Sequence, residues 1–179
     1  MIVRLLQPAD DRSEFSCGDP DYDDYLRKYA GQNHFKHHVG KTLVVVDDER
    51  VVGYATFTIG DLEIDELPAS VSAGLPRYPM PVLRLARLAV DSRYQGVGLG
   101  RKLVADVLVL AMRLRSEYGC VAVTVDALKT RRGFYERLGF EPCDTIIGRP
   151  RVAGTELMVL SLRDVAAVAG TEQQGLRRP

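Results

Sequence analysis

Cysteine is scarce in this 179-residue chain, and its three copies do not pair off. Cys17, Cys120 and Cys143 are odd in number, widely spaced and without a Cys-x-x-Cys. That argues against a disulfide scaffold and for free thiols in a reduced cytoplasm. No apolar run is long enough for a membrane span, and Arg4 interrupts the N-terminus before a signal-peptide core could form. Internal repeats are absent. A metal site is not expected either. His34, His37 and His38 have helical spacing, but no cysteine lies near them and the chain offers no third and fourth ligand, so they read as a solvated helix face. Net charge is missing too: 24 Lys/Arg balance 24 Asp/Glu.

That balance hides an asymmetry. Residues 1–76 hold 7 Lys/Arg and 14 Asp/Glu, whereas residues 77–151 hold 14 Lys/Arg and 7 Asp/Glu. The middle of the chain is therefore suited to meet an anion, unless the two halves neutralise each other in the fold. The length suits one domain with a real core. We expect that domain to run over residues 1–165, followed by a disordered tail over 166–179.

The stretch Arg93-Tyr94-Gln95-Gly96-Val97-Gly98-Leu99-Gly100-Arg101 stands between an apolar run and a long periodic segment. It reads as a strand, a glycine-rich turn and a helix start. Glycines here let the backbone turn tightly and leave no side chains before the helix, where N–H groups and the positive end of the dipole make a seat for phosphate. It lacks the Lys-Ser/Thr of a P-loop and has only the tail of a dinucleotide fingerprint.

Around it, Ile2–Leu6 reads as a short first strand. Asp19 and Pro20 read as the cap and first position of a helix whose stripe is Tyr22, Tyr25, Leu26, Tyr29 and Ala30, with Gly31 as its stop. Thr42–Val46 and Val51–Phe57 are β-branched strands joined by a hairpin turn at Asp47–Arg50. Residues 60–81 read as a polar connection with a short helix after Pro68. Val82–Val90 is a strand carrying two arginines, Arg84 and Arg87, that need partners or solvent. Leu99, Leu103, Val104, Val107, Leu108, Ala111 and Leu114 give the next helix a sheet-facing stripe. Cys120–Val125 is a strand, Thr130–Leu138 a helix stopped by Gly139, and Phe140 and Glu156–Leu162 supply the last strands. The order implies an α/β fold with one mixed sheet and helices on both faces.

Gln95-x-x-Gly98-x-Gly100 resembles the acetyl-CoA pyrophosphate loop of the GNAT superfamily of N-acetyltransferases. Gly133-Phe134-Tyr135-Glu136-Arg137-Leu138-Gly139-Phe140 is similar to a second signature of that superfamily. The resemblance spans nearly the whole chain and implies a single mixed, mostly antiparallel sheet of about six to seven strands. A narrower likeness lies in Phe15-x-Cys17-Gly18, in Leu26, Ala30 and Asn33, in Val51-Val52-Gly53-Tyr54, and in Arg87-Leu88-Ala89-Val90-Asp91 followed by Tyr94-Gln95-Gly96. These resemble the GNAT toxins of bacterial toxin–antitoxin pairs, which acetylate the amino group of aminoacyl-tRNA. Two departures stand out: Asp126 where that family usually carries His, and Leu128-Lys129-Thr130-Arg131 where the superfamily has Asn-x-x-Ala.

The resemblance implies that backbone N–H groups of Leu88, Ala89 and Val90 hold the thioester and pantetheine. Gln95, Gly96, Val97, Gly98, Leu99, Gly100 and Arg101 would hold the pyrophosphate of acetyl-CoA. Tyr135 would protonate the leaving thiolate, and Phe134 would pack in the core. Arg84 and Arg87 are expected at the acceptor. No cysteine has a histidine partner that would make it an acyl-enzyme nucleophile, so direct attack by a primary amine is expected. Glu63, Asp65 and Glu66 could reach a substrate as a base, although a solvated face is their ordinary role. A lysine amine near 10.4 would need a strong base and an α-amino group near 8 little help, which favours an α-amino acceptor.

Three readings stay open. A tRNA-directed toxin expects Arg84, Arg87, Lys129, Arg131 and Arg132 on an exposed basic face; a small-molecule or protein N-acetyltransferase expects that face to be neutralised. The third is a non-catalytic acetyl-CoA-binding module. The toxin reading brings charged tRNA and a ribbon-helix-helix antitoxin as partners, no membrane partner, and leaves room for a homodimer.

Overall fold

The computed structural model describes residues 1–143 and 153–167. All but the first two residues of the expected tail lie outside them. Seven strands form one mixed, mostly antiparallel sheet in the order β1-β2-β3-β4-β5-β7-β6. They are β1 (Ile2–Leu5), β2 (Lys41–Asp47), β3 (Arg50–Leu62), β4 (Met80–Val90), β5 (Ala122–Leu128), β6 (Glu141–Pro142) and β7 (Thr155–Ser161). Helices α1 (Pro20–Asp24), α2 (Ala69–Ser72), α3 (Leu99–Glu117) and α4 (Arg132–Glu136) lie between them, and residues 162–167, which include the first two of the expected tail, are helical as well. By contacts the chain forms two compact units, Met1–Thr58 with Leu85–Val109, and Ile59–Arg84 with Leu110–Pro179.

In the first unit, β2 and β3 pair with Val44 opposite Tyr54 and Val45 opposite Gly53. Side chains alternate across a sheet, so these pairs look to opposite faces. On one face Val44 and Tyr54 join Leu6, Phe15, Tyr25, Leu26 and Ala30 in a core. On the other, α3 comes so close that a Cβ on Gly53 would lie 3.4 Å from Leu103. Helices thus cover both faces of this unit. The β2–β3 hairpin turns through Asp48 and Glu49, both with positive φ (43° and 69°), as a tight hairpin twist demands.

Asp19 caps α1, its side chain accepting from Asp21 N at 3.0 Å, with Pro20 at the first position. The expected stop at Gly31 is not one. The helix continues as wide π turns over Tyr25–Tyr29 and Gln32–His37 and ends at His38, which adopts φ 53°. A Cβ at Gly31 would lie 2.9 Å from Arg12 Nη1, the far end of a flexible side chain that would have to shift. The solvated reading of the histidines fails for His34. It is buried, and its Nδ1 accepts the Thr42 N–H at 3.1 Å, while His37 and His38 are exposed.

In the second unit, β5 pairs with β7 over its full length, and β6 with β7. Leu62, Leu67, Val71, Met80, Val82, Ala122, Cys143, Leu157 and Val159 form its core. The supposed polar connection is more ordered than its composition suggested: β3 runs to Leu62, a 3-10 turn follows over Ile64–Glu66, and α2 starts after Pro68. Glu66 is buried, its side chain accepting from Glu63 N at 3.1 Å in a capping box, so it is not part of a solvated face. Glu63 and Asp65 are exposed.

Candidate active site

In the first unit, β4 delivers Leu88, Ala89 and Val90 to the start of the glycine-rich loop. Asp91 follows and is 1 % exposed. Its N–H donates to Val52 O at 2.9 Å, and its carboxylate accepts from Arg93 N, Arg93 Nε and Arg93 Nη2 at 2.9–3.0 Å and from Ser16 N at 3.2 Å. The Arg93 guanidinium, more than burial opposes it, holds this carboxyl below the usual carboxylate range. The result is a rigid 3-10 turn, Ser92–Tyr94. Tyr94 fastens it to the hairpin, its hydroxyl donating to Asp47 at 3.0 Å.

Gln95 closes the turn. Its Nε2 donates to Val90 O at 3.0 Å and to Cys17 O at 3.1 Å, so the side chain bridges the strand end to a distant segment. Gly96, Val97 and Gly98 are exposed, and Gly96 and Gly98 adopt φ +82° and +91°. A Cβ on either would meet nothing within 4 Å, so the requirement for glycine is the left-handed backbone. Buried Leu99 and Leu103 then root α3.

No acidic residue stands in the first turn of this 19-residue helix, whereas Arg101 and Lys102 do, both exposed. Cations at a helix N-terminus oppose the dipole. A diphosphate seated on the loop would reverse that sign, as it would accept from the backbone N–H groups and sit beside both cations. The loop thus offers an anion exposed backbone and two cations with no carboxylate in the first turn.

Arg87, also in this unit, lies over the Tyr25 ring with its Cζ 4.1 Å from the centroid. Tyr25 stacks on Tyr54, whose hydroxyl donates to Tyr22 O at 2.9 Å. Burial and the neighbouring Asp23 push the Cys17 thiol up to about 11, so it is no thiolate at neutral pH.

The second unit holds Arg84 and Tyr135. Arg84 on β4 pairs with Asp126 on β5, the two side chains being 52 % and 24 % exposed. Arg132 pairs with Glu136 at 2.7 Å and with Glu156 at 3.1 Å. The expected free basic face is therefore reduced. Arg84 and Arg132 have carboxylate partners and Arg87 an aromatic one, while Lys129 and Arg131 are exposed without an ion pair among the described residues. Tyr135 is buried in α4 with its ring edge-on to Phe134 and Phe140, centroids 5.0 and 5.6 Å away. Phe134, expected in the core, is only half-buried, so the tyrosine is the inward member of the pair. Gly139, at φ +89°, ends the helix and turns the chain into Phe140. No group of metal-ligating side chains forms among the described residues.

Sequence reasoning missed what joins Asp91, Ser16 and Asp23. Asp91 and Ser16 stand inside quoted motifs and Asp23 in the expected helix, but their union spans 75 residues of sequence and needs the fold.

The acetyltransferase (GNAT) domain profile matches residues 38–142. The chain is 36 % identical over 170 residues to a tRNA-acetylating toxin of Mycobacterium tuberculosis (strain ATCC 25618 / H37Rv), covering 93 % of this chain and 95 % of that one. It is 26 % identical over 153 residues to a probable toxin TacT of Sinorhizobium fredii (strain NBRC 101917 / NGR234), covering 78 % and 84 %. In fold it is similar to AtaT complexed with acetyl-methionyl-tRNAfMet, with TM-score 0.82, 22 % identity and coverage of 93 % and 98 %. AtaTR bound with acetyl-CoA is another structural neighbour, with TM-score 0.75, 23 % identity and coverage of 93 % and 96 %. Glycine loop, aromatic helix and sheet order agree with the profile match and the long relative: the chain belongs to the GNAT family of acetyltransferases.

Proposed function

We propose that this protein transfers acetyl from acetyl-CoA to the amino group of an aminoacyl-tRNA in the cytoplasm, and so acts as the toxin of a toxin–antitoxin pair. One observation carries the acetyl-CoA part: an exposed two-glycine loop at the N-terminus of α3, with Arg101 and Lys102 where an unliganded helix disfavours them. The tRNA part is supported by the 36 % identical relative, which matches nearly end to end and is a tRNA-acetylating toxin. The partner that keeps it silent would be a ribbon-helix-helix antitoxin; structural neighbours include a toxin bound to the C-terminus of its antitoxin AtaR.

In this reading the acceptor amine attacks the thioester directly. Cys17, with its raised thiol, offers no acyl-enzyme route. Leu88, Ala89 and Val90 orient the thioester, Gln95 to Arg101 hold the diphosphate, and Arg84 and Arg87 orient the acceptor. Tyr135 gives its proton to the departing thiolate, the attacking nitrogen sheds one to solvent as the amide forms, and solvent returns a proton to the phenolate. An α-amino group near 8 is partly neutral at physiological pH, so the reaction needs no strong base.

The carboxylate partners of Arg84 and Arg132 favour a second reading, a small-molecule or protein amine as acceptor. Incubation with labelled acetyl-CoA and bulk charged tRNA separates the two. Label released as N-acetyl amino acid on mild ester hydrolysis supports the tRNA reading. Label confined to polyamines, free amines or protein lysines overturns it.

A further inference from the structure

The motif Phe15-x-Cys17-Gly18 has no place in the chemistry above, yet the fold gives it a definite one. Ser16 lies 7 residues from Asp23 and 75 from Asp91, and it is bonded to both. Toward the acetyl-CoA loop, Ser16 N donates to Asp91 Oδ2 at 3.2 Å, Ser92 N to Ser16 O at 2.8 Å, and Gln95 Nε2 to Cys17 O at 3.1 Å. Toward α1, Cys17 N donates to Asp23 Oδ1 at 2.7 Å and Ser16 Oγ to Asp23 Oδ2 at 3.1 Å. Arg27 Nη2 donates to Phe15 O at 2.6 Å. Asp23 is buried and spends both carboxylate oxygens on this segment.

We propose that residues 14–18 are a strap that holds the Gln95–Gly100 loop in the shape that receives acetyl-CoA, with Asp23 as the positioning residue that holds the strap. The inference rests on the acetyl-CoA reading of that loop. The physical reason is preorganisation. Gly96 and Gly98 carry no side chains to restrain them, and nothing stands within 4 Å of where a Cβ would be. A loop left loose would have to be ordered at the moment of binding, at a cost in affinity. Its only described side-chain tethers at the entrance are the two bonds of Gln95, one of which ends on Cys17. Without the Asp23 carboxylate, Cys17 N–H and Ser16 O–H lose their acceptors. The carbonyls that receive Gln95 and Ser92 then have nothing fixing them from behind.

Calorimetry of acetyl-CoA binding, paired with steady-state kinetics, tests this on the full chain. Asp23→Ala should raise the acetyl-CoA Kd roughly tenfold, within the usual range for coupled sites. kcat at saturating acetyl-CoA and the acceptor KM should stay essentially unchanged. Asp10→Ala, which breaks the ion pair with Arg4 in the same unit but touches no strap atom, controls for lost stability. The double variant Asp23→Ala/Gln95→Ala should bind no worse than Gln95→Ala alone, because both act through one tether. A folded Asp23→Ala that binds like the wild type, or loses no more than Asp10→Ala, overturns the proposal. If Asp23→Ala does not fold, Ser16→Ala decides: it removes one of the two bonds to Asp23 and must weaken acetyl-CoA binding, or the strap is only structural. A wild-type protein that binds no acetyl-CoA overturns the loop's assignment instead.

Discussion

Arg87 rests on Tyr25, its guanidinium carbon 4.1 Å from the ring centroid. A strand arginine is thereby steadied by an aromatic face, at about 0.5–1 kcal/mol for an accessible cation–π pair. The ring holds the charge without neutralising it, so this cation remains able to meet an acceptor, whereas Arg84 would meet one with Asp126 already at its side.

Arg87→Ala should therefore raise the acceptor KM roughly tenfold, the loss expected for one hydrogen bond to a charged group, and leave acetyl-CoA affinity intact. Tyr25→Leu should shift KM in the same direction, because it keeps the arginine and removes its seat. An unchanged acceptor KM in both, from steady-state kinetics on folded protein, would show that Arg87 serves packing alone.

Gly98→Glu should abolish acetyl-CoA binding in calorimetry while the fold persists. The left-handed backbone at φ +91° costs any side chain about 1–2 kcal/mol. Gly98→Ala shares that strain without the charge, so it should lose a few degrees in Tm and much less affinity than the glutamate. Equal affinities for the two variants would argue against a diphosphate at this loop.

Tyr135→Phe keeps the edge-on contacts with Phe134 and Phe140 and deletes the proton. General-acid assistance is typically worth roughly 10²–10⁴ in rate, or about 2.7–5.4 kcal/mol of barrier. kcat should fall within that range, acetyl-CoA affinity should hold, and growth arrest on expression should disappear. Near-full kcat, with chemistry shown to limit the rate, would leave solvent as the proton donor.

His34 gives the fold a pH response. Burial, then Lys41 and His38, hold its pKa below the ordinary imidazole value, and its Nδ1 must stay unprotonated to accept from Thr42. The unfolded chain takes up the proton more readily, so stability is complete above about pH 6.5 and declines as pH falls toward the depressed folded value. The slope is at most about 1.4 kcal/mol per pH unit. Asp10 and Asp91, whose carboxyls are lowered, act only further down, below about pH 4. Urea midpoints between pH 8 and 5 should show the decline, and His34→Gln should flatten it.

The strands, the hairpin at Asp48–Glu49 and the Asp19–Pro20 helix start were legible in the sequence, since each is decided by local chemistry. So was the glycine loop, and with it the family. The Glu63–Glu66 capping box was legible in principle, because acceptor and partner stand three residues apart. Gly31 misled because it sits in helical conformation, with Arg12, 19 positions earlier, as its near neighbour, and the chain runs on past it. His34 misled because its burial is set by Thr42 on β2. The partners of Arg84 and Arg132 lie on other elements, Asp126 on β5 and Glu156 on β7, and no local pattern names them.

Those two ion pairs bear on how the protein would feel its medium. A polyanion gains affinity by shedding condensed counterions, with a salt slope near −0.7 for each cation that newly neutralises a phosphate on a single strand. An arginine already matched to a carboxylate sheds little. With Arg84 and Arg132 matched, Lys129, Arg131 and the ring-seated Arg87 are the cations of that set left to contribute. The salt slope of polyanion binding should therefore be shallower than all five cations of that set would give if none had a carboxylate partner.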